Sequence, residues 1–345
     1  MFSMFVYIED FLMKLILFNS KPHDVESFRK ANISEKHELV FVDVPLNSES
    51  AVLAADAPAI CVFVNDIINA ELLKQLYSQG TRLITLRCAG YNNIDIVAAK
   101  SIGIQLANVP AYSPHTVAEH ALALILALNR HIAEANNRVH TSNFSLEGLK
   151  GFELHGKTAG IIGTGRIGAI VACTLQSLGM RVLATDPLES SECCSKGIEY
   201  VDLATLLSQA DVISLHCPLT DENCYLINEA EIAKMKQGVM LINTSRGGVL
   251  NTQAAINGLQ TGQIGYLGID VYEYEQNLFF RNLSEEGFDD DTFKKLLALP
   301  NVLITPHQAF FTDEALENIS TTTLTSLAEF EKGQPLTYGI NRSVR

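Results

Sequence analysis

The stretch TAGIIGTGRIGAIVACTLQSLG, from Thr158 to Gly179, constrains this chain more than any other part of it. An apolar run passes through Gly163, Gly165 and Gly168 into apolar residues at helical spacing, which predicts a strand, a tight turn and a helix. Gly163 permits the sharp turn, Gly165 lets the backbone approach a pyrophosphate, and Gly168 lets helix and strand pack closely. Free N–H groups and the positive end of the helix dipole then favour an anion at the helix start. Alone, GxGxxG is a weak signal. Here it follows a strand, precedes a helix, and is answered about 18 residues later by Asp186 at the end of RVLATD. A carboxylate there accepts hydrogen bonds from an adenosine ribose and repels a 2′-phosphate, so the expected dinucleotide is NAD in preference to NADP.

Strand-like and helix-like segments alternate on both sides of this unit. KLILFNS, ELVFVDV, AICVFVND, RLITLRCAG and IQLANVP precede it, with helix-like DVESFRKAN and AELLKQLYSQG among them. RVLATD, DVISLHC, VMLINTS, IGYLGIDV and NVLITP follow, with DLATLLSQA and TQAAINGLQ between. That alternation predicts parallel sheets covered on both faces. A chain of 345 residues has room for about two domains. The mostly helical segment after Thr305 makes the first domain discontinuous if it packs back on it. TVAEHALALILALNRHIAEANNRV predicts one long helix with Thr116 as N-cap, buried in a core or between subunits.

Charge and cysteines exclude several functions. A formal net charge of −14 excludes nucleic acid as a partner, because phosphate binding needs a basic surface. The cysteines (Cys61, Cys88, Cys173, Cys193, Cys194, Cys217, Cys224) are odd in number and lack CxxC, and His115 and His120 lie too far apart for a metal-ligand motif. Free thiols, no metal and a cytoplasmic location are expected. Glu9 and Asp10 interrupt the apolar MFSMFVYIEDFL, and no basic region precedes it. Neither a signal peptide nor a membrane span is expected, and Met13 reads as a second translation start.

Ligands of open parallel sheets bind beyond the C-terminal strand ends. Arg246 follows VMLINTS, Glu275 follows IGYLGIDV, and His307 follows NVLITP. A guanidinium matches a carboxylate, and an imidazole beside a carboxylate can deliver a proton near neutral pH. Each also has a structural reading, as a surface arginine or a packed histidine; the combination favours chemistry. Cys88, Ala89 and Gly90 form a turn whose amides can cradle a carboxylate, or an ordinary strand-to-helix turn. Tyr112 either reaches a ligand or packs between domains.

These residues carry a family likeness. RCAGYNNID, NVPAYSPHTVAEHALALILALNR, GTGRIG, SLHCPLT, INTSRGG, GIDVYEYE and PHQAF together resemble the D-isomer-specific 2-hydroxyacid dehydrogenases, over nearly the whole chain from Met13. NFSLEGLKGFEL, LFFRNLSEEGFDDDTF and HQAFFTDEAL resemble its bacterial D-lactate dehydrogenase branch. Gln276 stands where many relatives have proline, and the following loop is long, as in that branch.

The resemblance implies an α/β fold of two doubly wound parallel-sheet domains. A Rossmann NAD domain (112–311) is inserted into a discontinuous flavodoxin-like substrate domain (1–111 and 312–345). It implies Arg246 as the substrate-binding arginine, His307 as acid-base and Glu275 as its partner. Ala89, Gly90, Tyr112 and Phe310 would contact substrate. Gly163, Gly165, Arg166, Ile167, Gly168, Asp186, Cys217, Pro218, Thr244, Ser245 and Asp270 would serve NAD. The implied reaction is reversible reduction of pyruvate to D-lactate by NADH, in a homodimer or homotetramer. The alternatives are a bulkier 2-keto acid as substrate, or a non-catalytic NAD-responsive binding protein.

Overall fold

Short, unbroken apolar runs become strands buried on both faces, as parallel sheets require. A computed structural model describes residues 13–33 and 37–340. The apolar segment at positions 1–12, on which the expectations about targeting fall, lies outside them. Two compact units result: one contains the residues up to Ser113 and from Phe311 onward, the other spans Pro114–Phe310.

In the first unit, β1 (Lys14–Leu17), β2 (Glu38–Phe41), β3 (Ala59–Val62), β4 (Leu83–Leu86) and β5 (Gln105–Asn108) form a five-stranded sheet in the order β2-β1-β3-β4-β5. Every pairing is parallel, and this is the flavodoxin-like order. The helix Asp313–Glu331, capped by the Thr312 hydroxyl, packs on the helix Pro22–Ala31 and closes the unit with the C-terminal part of the chain. One buried cation ties the C-terminal strand ends together. Arg87, 2 % exposed, places Nε 3.2 Å from Asp24 Oδ1, donates from Nη2 to the Asn19 carbonyl at 2.9 Å, and lies 4.9 Å over the Phe63 ring. The Cys88–Gly90 turn follows directly from it.

In the second unit, the strands are β6 (Thr158–Ile162), β7 (Arg181–Thr185), β8 (Glu199–Tyr200), β9 (Val212–Leu215), β10 (Val239–Asn243), β11 (Ile264–Ile269) and β12 (Val302–Ile304). They form a seven-stranded parallel sheet in the order β12-β11-β10-β9-β6-β7-β8. The order reverses between β6 and β9, the crevice where dinucleotides bind in such sheets. The glycine turn leaves β6 at that point. Gly163 has φ +90°, and a Cβ there would stand 2.6 Å from the Cys217 nitrogen. A Cβ on Gly168 would stand 1.9 Å from the Gly163 carbonyl oxygen, so only glycine lets the helix Arg166–Ser177 lie this close.

Two local expectations need correction. The long apolar run is two helices, Pro114–Asn129 and Ile132–His140, separated at His131, whose φ is +50°. Thr116 is buried inside the first helix and does not cap it, because Pro114, with φ preset, starts the helix two residues earlier. Leu124, Ile125 and Leu128 of that helix join the core over the sheet. Strand β8 was not read from the sequence, since two residues carry no periodicity. Among the described residues, no helix is long and apolar enough to cross a membrane.

Behind the glycine turn, the ring of His216 lies inside, with Nε2 2.8 Å from the Ser214 hydroxyl, although the residue keeps some surface. Burial lowers its pKa from 6.5 to about 4. Between those values the unfolded chain binds a proton that the folded chain does not, so stability falls as pH drops through this window. The expected slope is about 1.4 kcal/mol per pH unit. Urea midpoints measured across the window should show this slope, and His216→Asn should flatten it by about one proton's worth. Equal slopes in both proteins would remove His216 as its source.

Candidate active site

Strands β10, β11 and β12 are neighbours, and a polar turn leaves the C-terminal end of each. After β10, the Asn243 side chain clamps the turn. Its Oδ1 accepts from the Ser245 N–H at 3.0 Å and the Ser245 hydroxyl at 2.9 Å, while its amide donates to the Arg246 carbonyl at 3.0 Å. Arg246 is half-buried, and its Nη1 donates to the Ser245 carbonyl at 2.6 Å. A Cβ on Gly247 would stand 2.2 Å from the Tyr272 carbonyl carbon, so the Arg246 turn presses on the turn that follows β11.

On that next turn, Glu275 engages both carboxylate oxygens. The Tyr272 N–H donates to Oε2 at 2.9 Å, and His307 Nδ1 lies 2.7 Å from Oε1. Each of the two side chains keeps 17 % exposure, so the pair is largely shielded and retains an open edge. With Nδ1 donating to the carboxylate, Nε2 is the nitrogen left for proton exchange. The Phe280 ring lies against the imidazole, with centroids 5.7 Å apart.

His307 itself has φ +55°, a left-handed conformation that a Cβ disfavours. Asp270, fully buried at the end of β11, explains how it persists. Its carboxylate accepts from the Thr305 hydroxyl at 2.6 Å and from the Gln308 and Ala309 N–H groups at 2.9 Å each. Those donors bracket His307. His120, from the helix Pro114–Asn129, adds a contact of 2.9 Å to the Thr305 hydroxyl. Phe310 is half-buried at the end of this segment.

The glycine turn suits a pyrophosphate. A Cβ on Gly165 would meet nothing within 4 Å, so the helix N-terminus is open where a phosphate would approach. Arg166 begins the helix beside it and is exposed, and Ile167 packs toward the core. Asp186 is held at the end of β7, its Oδ2 accepting from the Thr164 N–H at 2.6 Å and its Oδ1 from the Leu188 N–H at 2.8 Å. Cys217 and Pro218 follow β9 on the other side of the crevice. Burial pushes the Cys217 thiol up to about 11, and the Asp186 charge adds to it, so the thiol stays protonated. Among the described residues, the buried Thr244 hydroxyl has no partner. Ser245 is committed to Asn243.

In the first unit, Ala89, Gly90 and Tyr112 are half-buried. Asn108 donates to the Ala89 carbonyl at 2.8 Å, and the Cys88 thiol lies 3.2 Å from the Gly90 carbonyl. Sequence reasoning missed Asn243, His120, Thr305 and Phe280. A polar residue at the end of an apolar strand was the available signal for Asn243. None marked the other three, whose partners are 27 to 185 positions away along the chain. Among the described residues there is no cluster able to hold a metal ion.

Comparison with known proteins gives this arrangement a place. The NAD binding domain of the D-isomer specific 2-hydroxyacid dehydrogenases matches residues 122–309. D-lactate dehydrogenase of Escherichia coli (strain K12) is 50% identical over 322 residues, 93% of this chain and 98% of that protein. Its apo-structure aligns with a TM-score of 0.88, covering 95% of this chain and all of that one at 47% identity. The D-lactate dehydrogenase of Aquifex aeolicus, solved in complex with NAD and lactic acid, aligns with a TM-score of 0.85 at 36% identity, covering 96% of this chain and 100% of that one. Together with the strand order and the glycine turn, these likenesses mean that the chain belongs to the family of D-isomer specific 2-hydroxyacid dehydrogenases.

Proposed function

We propose that this protein is an NAD-dependent D-lactate dehydrogenase that reduces pyruvate reversibly. The observation that carries the reading is the His307–Glu275 pair, 2.7 Å apart at adjacent strand ends of an NAD-binding sheet. The 50% identity with the Escherichia coli D-lactate dehydrogenase supports lactate as the hydroxy acid. The unit Pro114–Phe310 acts as the cofactor domain, and the unit closed by the helix Asp313–Glu331 as the substrate domain.

The open Gly165 face fits a dinucleotide. Gly163, Gly165, Arg166, Ile167 and Gly168 would hold its pyrophosphate, Asp186 its ribose, and Cys217, Pro218, Thr244, Ser245 and Asp270 the remainder. NAD supplies the hydride chemistry when bound. Arg246 binds the substrate carboxylate through its planar fork of donors. His307 gives a proton from Nε2 to the keto oxygen during reduction and takes it back during oxidation, while Glu275 holds Nδ1. Ala89, Gly90, Tyr112 and Phe310 contact substrate on the strength of the resemblance. Free cysteines agree with a cytoplasmic location.

A second copy of the chain completes the surface of the second unit. Phe144 and Leu146 are 73% and 83% exposed, and Ile132 and Val139 of the preceding helix are also exposed. Four large apolar side chains within one segment suit burial in a homodimer or a homotetramer. Light scattering should give two or four times the chain mass, and Phe144→Asp with Leu146→Asp should reduce it; a wild-type monomer would discard the oligomer.

The activity test is NADH oxidation with pyruvate, followed by assay of the product with stereospecific lactate enzymes. Turnover to the D-isomer alone is expected. Rapid turnover only on bulkier keto acids would discard lactate, and NADH binding without turnover would discard catalysis. His307→Gln should lower kcat by about 10²–10⁴-fold. Arg246→Gln should lower kcat/KM by about 10²-fold or more, as expected for losing a charge-assisted bidentate contact.

A further inference from the structure

A long segment runs from Glu275 through LFFRNLSEEGFDDDTF. It is anchored by aromatic packing. The Phe293 ring lies 4.9 Å from Tyr272 and 5.8 Å from both Phe279 and Phe288. The Tyr272 hydroxyl donates to Asp290 Oδ2 at 2.9 Å, closing the loop onto the start of the helix Asp291–Leu297. Phe279 and Phe293 are buried. The Leu278 and Phe279 N–H groups both donate to the Glu275 carbonyl at 2.9 Å, so Glu275 and Phe280 sit on one tight turn.

Phe280 leaves that turn with φ +63°. A left-handed backbone is unfavourable for a bulky residue and persists only where its surroundings over-determine it. Its ring meets another left-handed residue, His307, at 5.7 Å between centroids with 41° between planes. A hydrogen bond to Nδ1 alone selects which imidazole nitrogen faces away, yet leaves the ring plane free to swing about that bond. An aromatic ring against the imidazole removes the swing.

Resting on the dehydrogenase reading above, we propose that Phe280 is a positioning residue for the His307 imidazole. The Glu275–Phe280 segment holds the acid-base at two points, through Nδ1 by Glu275 and across the ring by Phe280. Nε2 thereby keeps one direction toward the reacting oxygen. The aromatic anchor of the long loop beyond Glu275 holds Phe280 in place.

The test compares Phe280→Leu, Phe280→Ala and Phe280→Tyr with the wild type in the full chain. Phe280→Leu should lower kcat about tenfold, since small misplacements of a reacting group cost this much or more. KM for pyruvate and Kd for NADH should stay within about twofold. The isotope effect with NADH deuterated at the transferred position should rise, because the chemical step slows. Phe280→Tyr, which retains the ring, should restore kcat. Unchanged kcat in Phe280→Leu and Phe280→Ala, or a loss matched by weaker NADH binding or a lower thermal midpoint, would overturn the proposal. If Phe280→Ala does not fold, Phe280→Leu and Phe280→Tyr decide. A wild type inactive on every 2-keto acid would overturn the functional reading alone. Spin relaxation of the His307 ring, assigned with His307→Gln, reads the positioning without turnover: a lower ring order parameter in Phe280→Leu supports it, and an unchanged one refutes it.

Discussion

A carboxylate with no exposure to water organises the candidate site. Asp270 Oδ1 lies 3.4 Å from His120 Nε2, and the carboxylate accepts from the Thr305 hydroxyl and from the Gln308 and Ala309 amides. A buried charge is tolerated only when it is paired or fully hydrogen-bonded. The chain after β12 is therefore wrapped around one fixed point at the end of β11. His307 lies inside that wrap, and its left-handed φ of +55° is the consequence. Donors elsewhere in the same few residues offset what the backbone conformation costs.

The same logic runs through the neighbouring strand ends. Asn243 ties down the Arg246 turn, Gly247 lets that turn press against Tyr272, and the Tyr272 amide fixes one oxygen of Glu275. The other oxygen meets His307. Each polar group that could do chemistry is held by another that serves only geometry. Such preorganisation matters because catalysis depends on groups already in position when charge moves. Burial silences two groups beside the glycine turn: His216 stays neutral and Cys217 stays protonated. His307, by contrast, keeps an open edge on the side away from Glu275.

Much of this was legible in the sequence. Strand runs such as AICV and LITL, the spacing of Gly163, Gly165 and Gly168, and the answering Asp186 depend on local chemistry, which sequence reports directly. Arg246, Glu275 and His307 could be nominated because each stands just beyond an apolar strand, where parallel sheets bind ligands. The break at His131 was not legible, because the apolar pattern continues across it and nothing local forbids helix there. Strand β8 escaped because two residues show no period. His120 and Phe280 escaped because their partners, Thr305 and His307, lie far along the chain.

The sequence by itself determined the class of fold, the dinucleotide turn and the chemical types available for the site, since these follow from apolar periodicity, glycine spacing and side-chain functional groups. Only the tertiary structure decided which nitrogen of His307 is free, why its backbone is left-handed, and that Asp270 is the point the surrounding turn is built on. Those outcomes depend on hydrogen bonds between segments remote along the chain, and a linear pattern of residue types carries no information about which distant amide will meet which carboxylate.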